Sequence, residues 1–235
     1  MDRTTNHNLD RRTALRGALG LGLGAMIATP ARAFAEVSVL SDYERRLVSV
    51  ALRERDRVGA MLVDGSVVAL ADFARPSHET RLHFVDMVAG RVRSHLVAHG
   101  RGSDPEHMGW LRQFSNGVGS LATSRGAYLT TEKYDGKYGE SMRLRGLDLD
   151  YSIAYDRAFV MHPAWYAAPD MLCKFGKLGR SEGCFAMAPE EFSVALDHLG
   201  SGRLLFPSMT NRDRPISENT VTYALARMGF KGQMT

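Results

Sequence analysis

The sequence predicts a mainly β domain with one N-terminal helix and short C-terminal helices. Three observations carry this expectation. Three β-rich runs follow one another, at Val67 to Phe73, Arg81 to Met87 and Arg91 to His99. Residues 114 to 148 then break into short stretches of alternating bulk, punctuated by Gly, Ser, Asn and Asp as in strands joined by tight turns. Helix signals stand before the first run, as apolar residues at helical spacing, and after it at Pro189, as a proline with acids in the first turn.

A chain of 235 residues, 44% of them hydrophobic, is long enough to fill a core as one domain or at most two small ones. The formal charge is +4, but it is unevenly placed. The first 33 residues hold Arg3, Arg11, Arg12, Arg16 and Arg32 against Asp2 and Asp10, a surplus of three, which leaves about +1 for the remainder. The basic balance therefore belongs to the leader and does not point to a nucleic-acid partner.

That leader reads as an export signal. An arginine pair, Arg11-Arg12, precedes Leu15 and a weakly apolar run from Gly17 to Thr29, and Ala31-Arg32-Ala33 forms a small-residue cleavage site. The arginine pair and the glycine-softened core match the twin-arginine type. The run is shorter than the roughly 20 residues that span a bilayer, so no stable membrane insertion is expected after its removal. The expected organisation is a signal peptide over 1–33, a helical segment over 34–57, a catalytic-sized domain over 58–207 and a tail over 208–235. The expected destination is the periplasm.

Ser41 is a good N-cap for a helix over Asp42 to Arg55, with Asp42 and Glu44 in its first turn facing the positive helix end. Leu47, Val48, Ala51 and Leu52 give it one apolar face. Ala89-Gly90 marks a hairpin turn between the second and third β-runs. His99, followed by Gly100-Arg101-Gly102, stands at the end of the third run, where it can face a cleft. Gly136-Lys137 and Gly139 mark a second hairpin, with Ser141 to Leu147 as the returning strand. No Walker-type phosphate loop is present. Pro189-Glu190-Glu191 opens a helix to Leu199, ended by Gly200 and Gly202. Arg203 to Phe206 returns as a strand, and Ser217 to Met228 is modestly helical.

The chemistry-bearing stretch is Gly179-Arg180-Ser181-Glu182-Gly183-Cys184. Upstream, the strand-like run from Arg157 to Met161 ends in His162. A thiol and an imidazole from neighbouring segments suffice for thiolate chemistry: the imidazole takes the proton and the sulfur attacks a carbonyl. Cys173 is the second cysteine, and a Cys173–Cys184 disulfide is a competing reading outside the cytoplasm. A zinc site built from His162, Cys173, Cys184 and His198 is disfavoured, because no two of these show the close pairing of structural zinc ligands.

An ordered series of short motifs resembles a known family. It runs through Asp72-Phe73, His99-Gly100-Arg101-Gly102-Ser103, Phe114-Ser115-Asn116, Gly119-Ser120, Ser124, Gly126, Tyr128, Thr130 and Tyr134. It continues through Gly136-Lys137, Gly139, Ser141, Arg143-Leu144, Gly146-Leu147, Arg157 and His162, and closes on Gly179-Arg180-Ser181 and Gly183-Cys184. The series is similar to the L,D-transpeptidase catalytic domains of the YkuD-like fold, and covers about half the chain. The resemblance implies a β-sandwich with a cysteine nucleophile, Cys184, and a catalytic histidine, His162. It implies peptidoglycan stem peptides as substrate and no cofactor or metal.

Two departures stand out. The larger family has His-Gly and Ser-His-Gly-Cys where this chain has His162-Pro163 and Ser181-Glu182-Gly183-Cys184. It often has an arginine two residues after the cysteine, where this chain has Ala186. Arg180 is the replacement considered for gripping a substrate carboxylate. Tyr134, Arg143 and His99 are further substrate-side residues, with Arg143 alternatively paired to Asp148 or a neighbouring Asp. Ser181 and Gly183 are expected to shape the turn, and backbone N–H groups around Gly183-Cys184 to stabilise an oxyanion, a contribution of about 3 kcal/mol per donor. Transpeptidation, L,D-carboxypeptidation and an inactive peptidoglycan-binding module all remain open at this stage.

Overall fold

The computed structural model describes residues 40–148 and 159–210, together with Ala226 and Met228. The leader and its cleavage site lie outside the described residues, as does most of the Ser217 to Met228 stretch.

Helix α1 spans Asp42–Val58, one turn longer than expected. Its start is a capping box: the Glu44 N–H donates to Ser41 Oγ at 3.3 Å, and the Ser41 N–H donates to the Glu44 carboxylate at 2.8 Å. The apolar face buries Leu47, Val48, Ala51, Leu52 and Val58 on the sheet. Tyr43 pins the helix start, donating its hydroxyl to Asp72 at 2.8 Å and meeting His83 Nε2 at 3.0 Å.

Eight strands form one sheet in the order β3-β2-β1-β8-β4-β5-β6-β7. They are β1 (Val67–Asp72), β2 (Leu82–Asp86), β3 (Arg91–His95), β4 (Tyr128–Gly136), β5 (Gly139–Gly146), β6 (Val160–Pro163), β7 (Phe185–Met187) and β8 (Leu204–Ser208). Consecutive hairpin strands pair antiparallel. β8 pairs parallel with β1, and β7 parallel with β6, each reached through a helical connection. Those connections contain α2 (Pro169–Phe175) and α3 (Pro189–Leu199). Helix α3 has the predicted bounds; α2 was not predicted from its sequence.

Strand β1 explains the layering. Val67, Ala69, Ala71 and the following Phe73 enter one core, whereas Val68 and Leu70 enter a second core under α1. With both faces covered, every residue of β1 is buried, as in a central strand between two layers. The first core also takes Phe84 from β2 and Phe185 from β7, two strands far apart in the sheet order. The sheet thus folds over so that both halves share one interior, in keeping with the expected sandwich.

Strand β3 ends at His95 rather than His99, because the next residues leave it to meet the opposite edge. The Ala98 N–H donates to the Ala186 carbonyl at 2.8 Å, and Gly100 bridges Ser181. This crossing brings the chain after β3 against the loop entering β7, and the candidate site forms there.

Candidate active site

The turn before β7 is held by backbone contacts on one side and its own serine on the other. The Ser181 N–H donates to the His99 carbonyl at 2.9 Å, and the Arg101 N–H to the Ser181 carbonyl at 2.8 Å. Ser181 Oγ donates to the Cys184 carbonyl at 2.6 Å and accepts from the Gly183 N–H at 3.2 Å. Thr123 closes the ring, accepting from the Gly100 N–H at 2.9 Å and donating to the Gly183 carbonyl at 3.1 Å. Sequence reasoning missed Thr123, which carried no signal beyond its place in a Gly/Ser-rich loop.

Two glycines make this approach possible. A Cβ on Gly100 would lie 2.4 Å from the Leu121 carbonyl oxygen and 2.6 Å from Gly183 Cα. Gly183 has φ +117°, a conformation L side chains avoid, and a Cβ there would come within 3.0 Å of both the Ala122 oxygen and the Phe159 ring. Ser181 and Gly183 both lie within this turn, joined by the Gly183 N–H to Ser181 Oγ bond. Of the backbone N–H groups around Gly183-Cys184 expected to face an oxyanion, that of Gly183 is donated to Ser181 Oγ in this structure.

Cys184 is half-buried immediately before β7, and His162 lies on the neighbouring strand, in register with Ala186. His162 is 1% exposed, and its Nδ1 lies 3.0 Å from the Pro163 carbonyl oxygen. A carbonyl only accepts, so Nδ1 carries the proton and Nε2 carries the lone pair. Burial pushes the His162 pKa down, and nearby Lys137 adds to this, while the bond to the Pro163 carbonyl opposes both. The resting imidazole is thus held toward its neutral form, with its lone pair at Nε2. Tyr138, at the tip of the β4–β5 hairpin, stacks on the imidazole with ring centroids 4.1 Å apart. Lys137 and Tyr166 both stand within electrostatic reach of Cys184. The sequence marks Lys137 as part of a hairpin turn and of the motif series, with no site role, and gives no signal for Tyr138 or Tyr166.

His99 does not face a cleft, which corrects that expectation. It is 1% exposed and is flanked by Arg81 and Asp104, both buried. Arg81 Nη2 lies 2.8 Å from His99 Nδ1, so Nδ1 must accept, and Nε2–H faces Asp104 at 3.5 Å. Burial pulls the His99 pKa to about 4, so the ring is neutral. Arg81 also donates to the Val97 and Arg75 carbonyls, which explains how a fully buried guanidinium is satisfied. His99 therefore supports the turn from beneath.

The remaining substrate-side residues are placed as follows. Arg180 donates through Nη1 to the Asp104 and Pro105 carbonyls, tying the turn to that loop. Arg143 pairs with Glu132 at 3.0 Å and stacks its guanidinium 4.3 Å from the Tyr134 ring centre. Its pairing with Asp148 is not formed, because Asp148 is taken by Arg57 and the Ala127 N–H. Arg143 faces a bulge instead: β4 sets the two residues Thr131 and Glu132 against the single residue Arg143 on β5.

No disulfide joins Cys184 to Cys173, which is exposed on α2. Among the described residues no group of three or more His, Cys, Asp or Glu is gathered to hold a metal ion. No helix among them is long and apolar enough to cross a membrane.

Residues 41–207 match the family model of the L,D-transpeptidase catalytic domain. The chain belongs to this family. L,D-transpeptidases also stand among its structural neighbours. One from Mycobacterium smegmatis is 16% identical, with a TM-score of 0.37 over 61% of this chain and 58% of that one. One from Mycobacterium tuberculosis H37Rv is 16% identical, with a TM-score of 0.38 over 61% and 57%. L,D-transpeptidase 3 from Mycobacterium tuberculosis, in complex with a faropenem-derived adduct, is 15% identical, with a TM-score of 0.38 over 61% and 60%. The match thus spans less than two thirds of each of these chains. No curated protein matches. The assignment to the L,D-transpeptidase family rests on the family model.

Proposed function

We propose that this protein is an exported cysteine acyltransferase acting on peptidoglycan stem peptides, an L,D-transpeptidase that works through a Cys184 thioester. The observation that carries the reading is the tautomer of His162. Its Nδ1–H is held by the Pro163 carbonyl on the strand beside Cys184, which leaves Nε2 to accept a proton. The departure from His-Gly to His162-Pro163 leaves this device intact, since proline lacks an N–H but keeps its carbonyl.

In the first half-reaction the Cys184 proton passes to His162 Nε2 as the sulfur adds to the carbonyl of the L-centre-to-D-alanine bond. The C–N bond then breaks, and D-alanine leaves as an amine carrying the proton from His162. In the second half-reaction the amine of another stem adds to the thioester and gives its proton to His162. Cys184 departs as thiolate and is reprotonated. A neutral, buried imidazole suits both halves, because it can accept and return a proton near pH 7. In this reading the first 33 residues are removed on export to the periplasm by the twin-arginine route.

The test is intact mass after mixing the mature protein with a carbapenem, compared with Cys184→Ala. A strained β-lactam carbonyl stands in for the scissile amide. An adduct on the wild type that disappears in the variant supports the reading. A folded, reduced wild type that stays unmodified counts against it.

A further inference from the structure

An acyl donor that releases a D-amino acid carries a carboxylate one residue beyond the attacked carbonyl. Ala186, two residues after Cys184, is buried in β7 and offers no charge. Arg180 is turned toward the Asp104 and Pro105 carbonyls. The β4–β5 hairpin tip supplies another cation. Lys137 is exposed there, where Gly139 reverses the chain at φ +87°. Its Nζ lies 4.7 Å from the centre of the Tyr138 ring, which itself lies against His162. The ammonium is within electrostatic reach of Glu182, Cys184 and His162. Arg101 lies 3.2 Å from Glu182, and Lys137 is also within electrostatic reach of that carboxylate.

We propose that Lys137 is a specificity-determining residue, whose ammonium receives the terminal carboxylate of the acyl donor while Cys184 addresses the neighbouring carbonyl. This rests on the acyl-transfer reading of Cys184. A lysine suits the task, being a compact charge on a flexible stem that reaches a carboxylate without a bidentate geometry. Its attraction acts through solvent and weakens as salt is added.

The test compares iodoacetate with iodoacetamide, two alkylating agents that differ in carrying or lacking a carboxylate. Each forms a thioether at sulfur and releases iodide. In a Cys173→Ala background Cys184 is the sole cysteine, and its alkylation is followed by intact mass. The iodoacetate-to-iodoacetamide rate ratio is expected to fall by about three- to tenfold in Lys137→Met, and to be retained in Lys137→Arg. The wild-type ratio is expected to drop in 0.5 M salt, about five times the ionic strength at which screening reaches 10 Å. An equal ratio in Lys137→Met and its parent overturns the proposal. This readout does not depend on the natural reaction, whose failure would appear separately as the missing carbapenem adduct. With a stem tetrapeptide and its C-terminal amide, the parent is expected to favour the acid about tenfold in kcat/KM through KM. Lys137→Met is expected to lose that preference, and an undiminished preference overturns the proposal equally.

Discussion

The Tyr138 ring lies face-on against the His162 imidazole, with centroids 4.1 Å apart and planes inclined by 18°. This hairpin-tip residue helps to keep the imidazole out of water, and burial is the main cause of its lowered pKa. Tyr138→Ala is expected to hydrate the ring and raise its pKa toward the ordinary value of 6.5. A base works only unprotonated, so the acid limb of the carbapenem acylation rate should move to higher pH. Tyr138→Phe keeps the stack and should leave the limb in place. An unmoved limb in Tyr138→Ala would show that the stack does not set the state of His162.

Ser181 Oγ braces the turn that carries Cys184, donating to the Cys184 carbonyl and accepting from the Gly183 N–H. Ser181→Ala leaves a buried donor without its partner, at a cost of about 1–3 kcal/mol. Urea denaturation should read this loss, and the acylation rate should fall at least about tenfold as the sulfur loses its fixed position. Ser181→Thr retains the hydroxyl and should recover part of both.

Gly100→Ala drives a methyl into the backbone of Leu121 and Gly183, neither of which can yield as a side-chain end could. The expected loss is more than about 3 kcal/mol, read as a fall in Tm or as a failure to fold. Gly59→Ala is the control. Gly59 has φ −36° and no heavy atom within 4 Å of an added Cβ. That change should leave stability equal or raise it by up to about 1 kcal/mol through the unfolded chain.

His83 and His99 each have a pKa pulled from 6.5 to about 4, chiefly by burial. The fold binds them neutral, so their contribution is fully present above the unfolded pKa of 6.5. It is lost as pH falls through the folded value near 4, because the unfolded chain then binds more protons. A loss of about 3 kcal/mol per histidine is expected between pH 7 and pH 4. Urea midpoints across that range should fall steadily, and His83→Gln should flatten the slope. A slope unchanged in that variant would show that His83 does not carry the effect.

Local patterns were legible wherever a residue's neighbours in sequence are also its neighbours in space. The capping box at Ser41 and Glu44, the bounds of α3 and the β4–β5 hairpin all depend on contacts a few residues apart. The β-rich run at β1 was legible as a strand, although its burial on both faces depends on the two cores that it enters. Motif order suggested Cys184 and His162 as partners, and the parallel β6–β7 register sets His162 opposite Ala186, two residues after Cys184. Other features depended on distant segments. His99 ended a predicted strand, but the chain turns away at His95 to meet Ala186, which buries His99 against Arg81 and Asp104. Thr123, Lys137 and Tyr138 reach the site because a loop and a hairpin tip fold back on it. Sequence by itself determined which segments could be strands, helices and turns, and which residues could do thiol chemistry. Only the tertiary structure decided which nitrogen of His162 carries the lone pair, which cation stands beside Tyr138 and that His99 is buried, since each follows from how backbone and side chains distant in sequence come together.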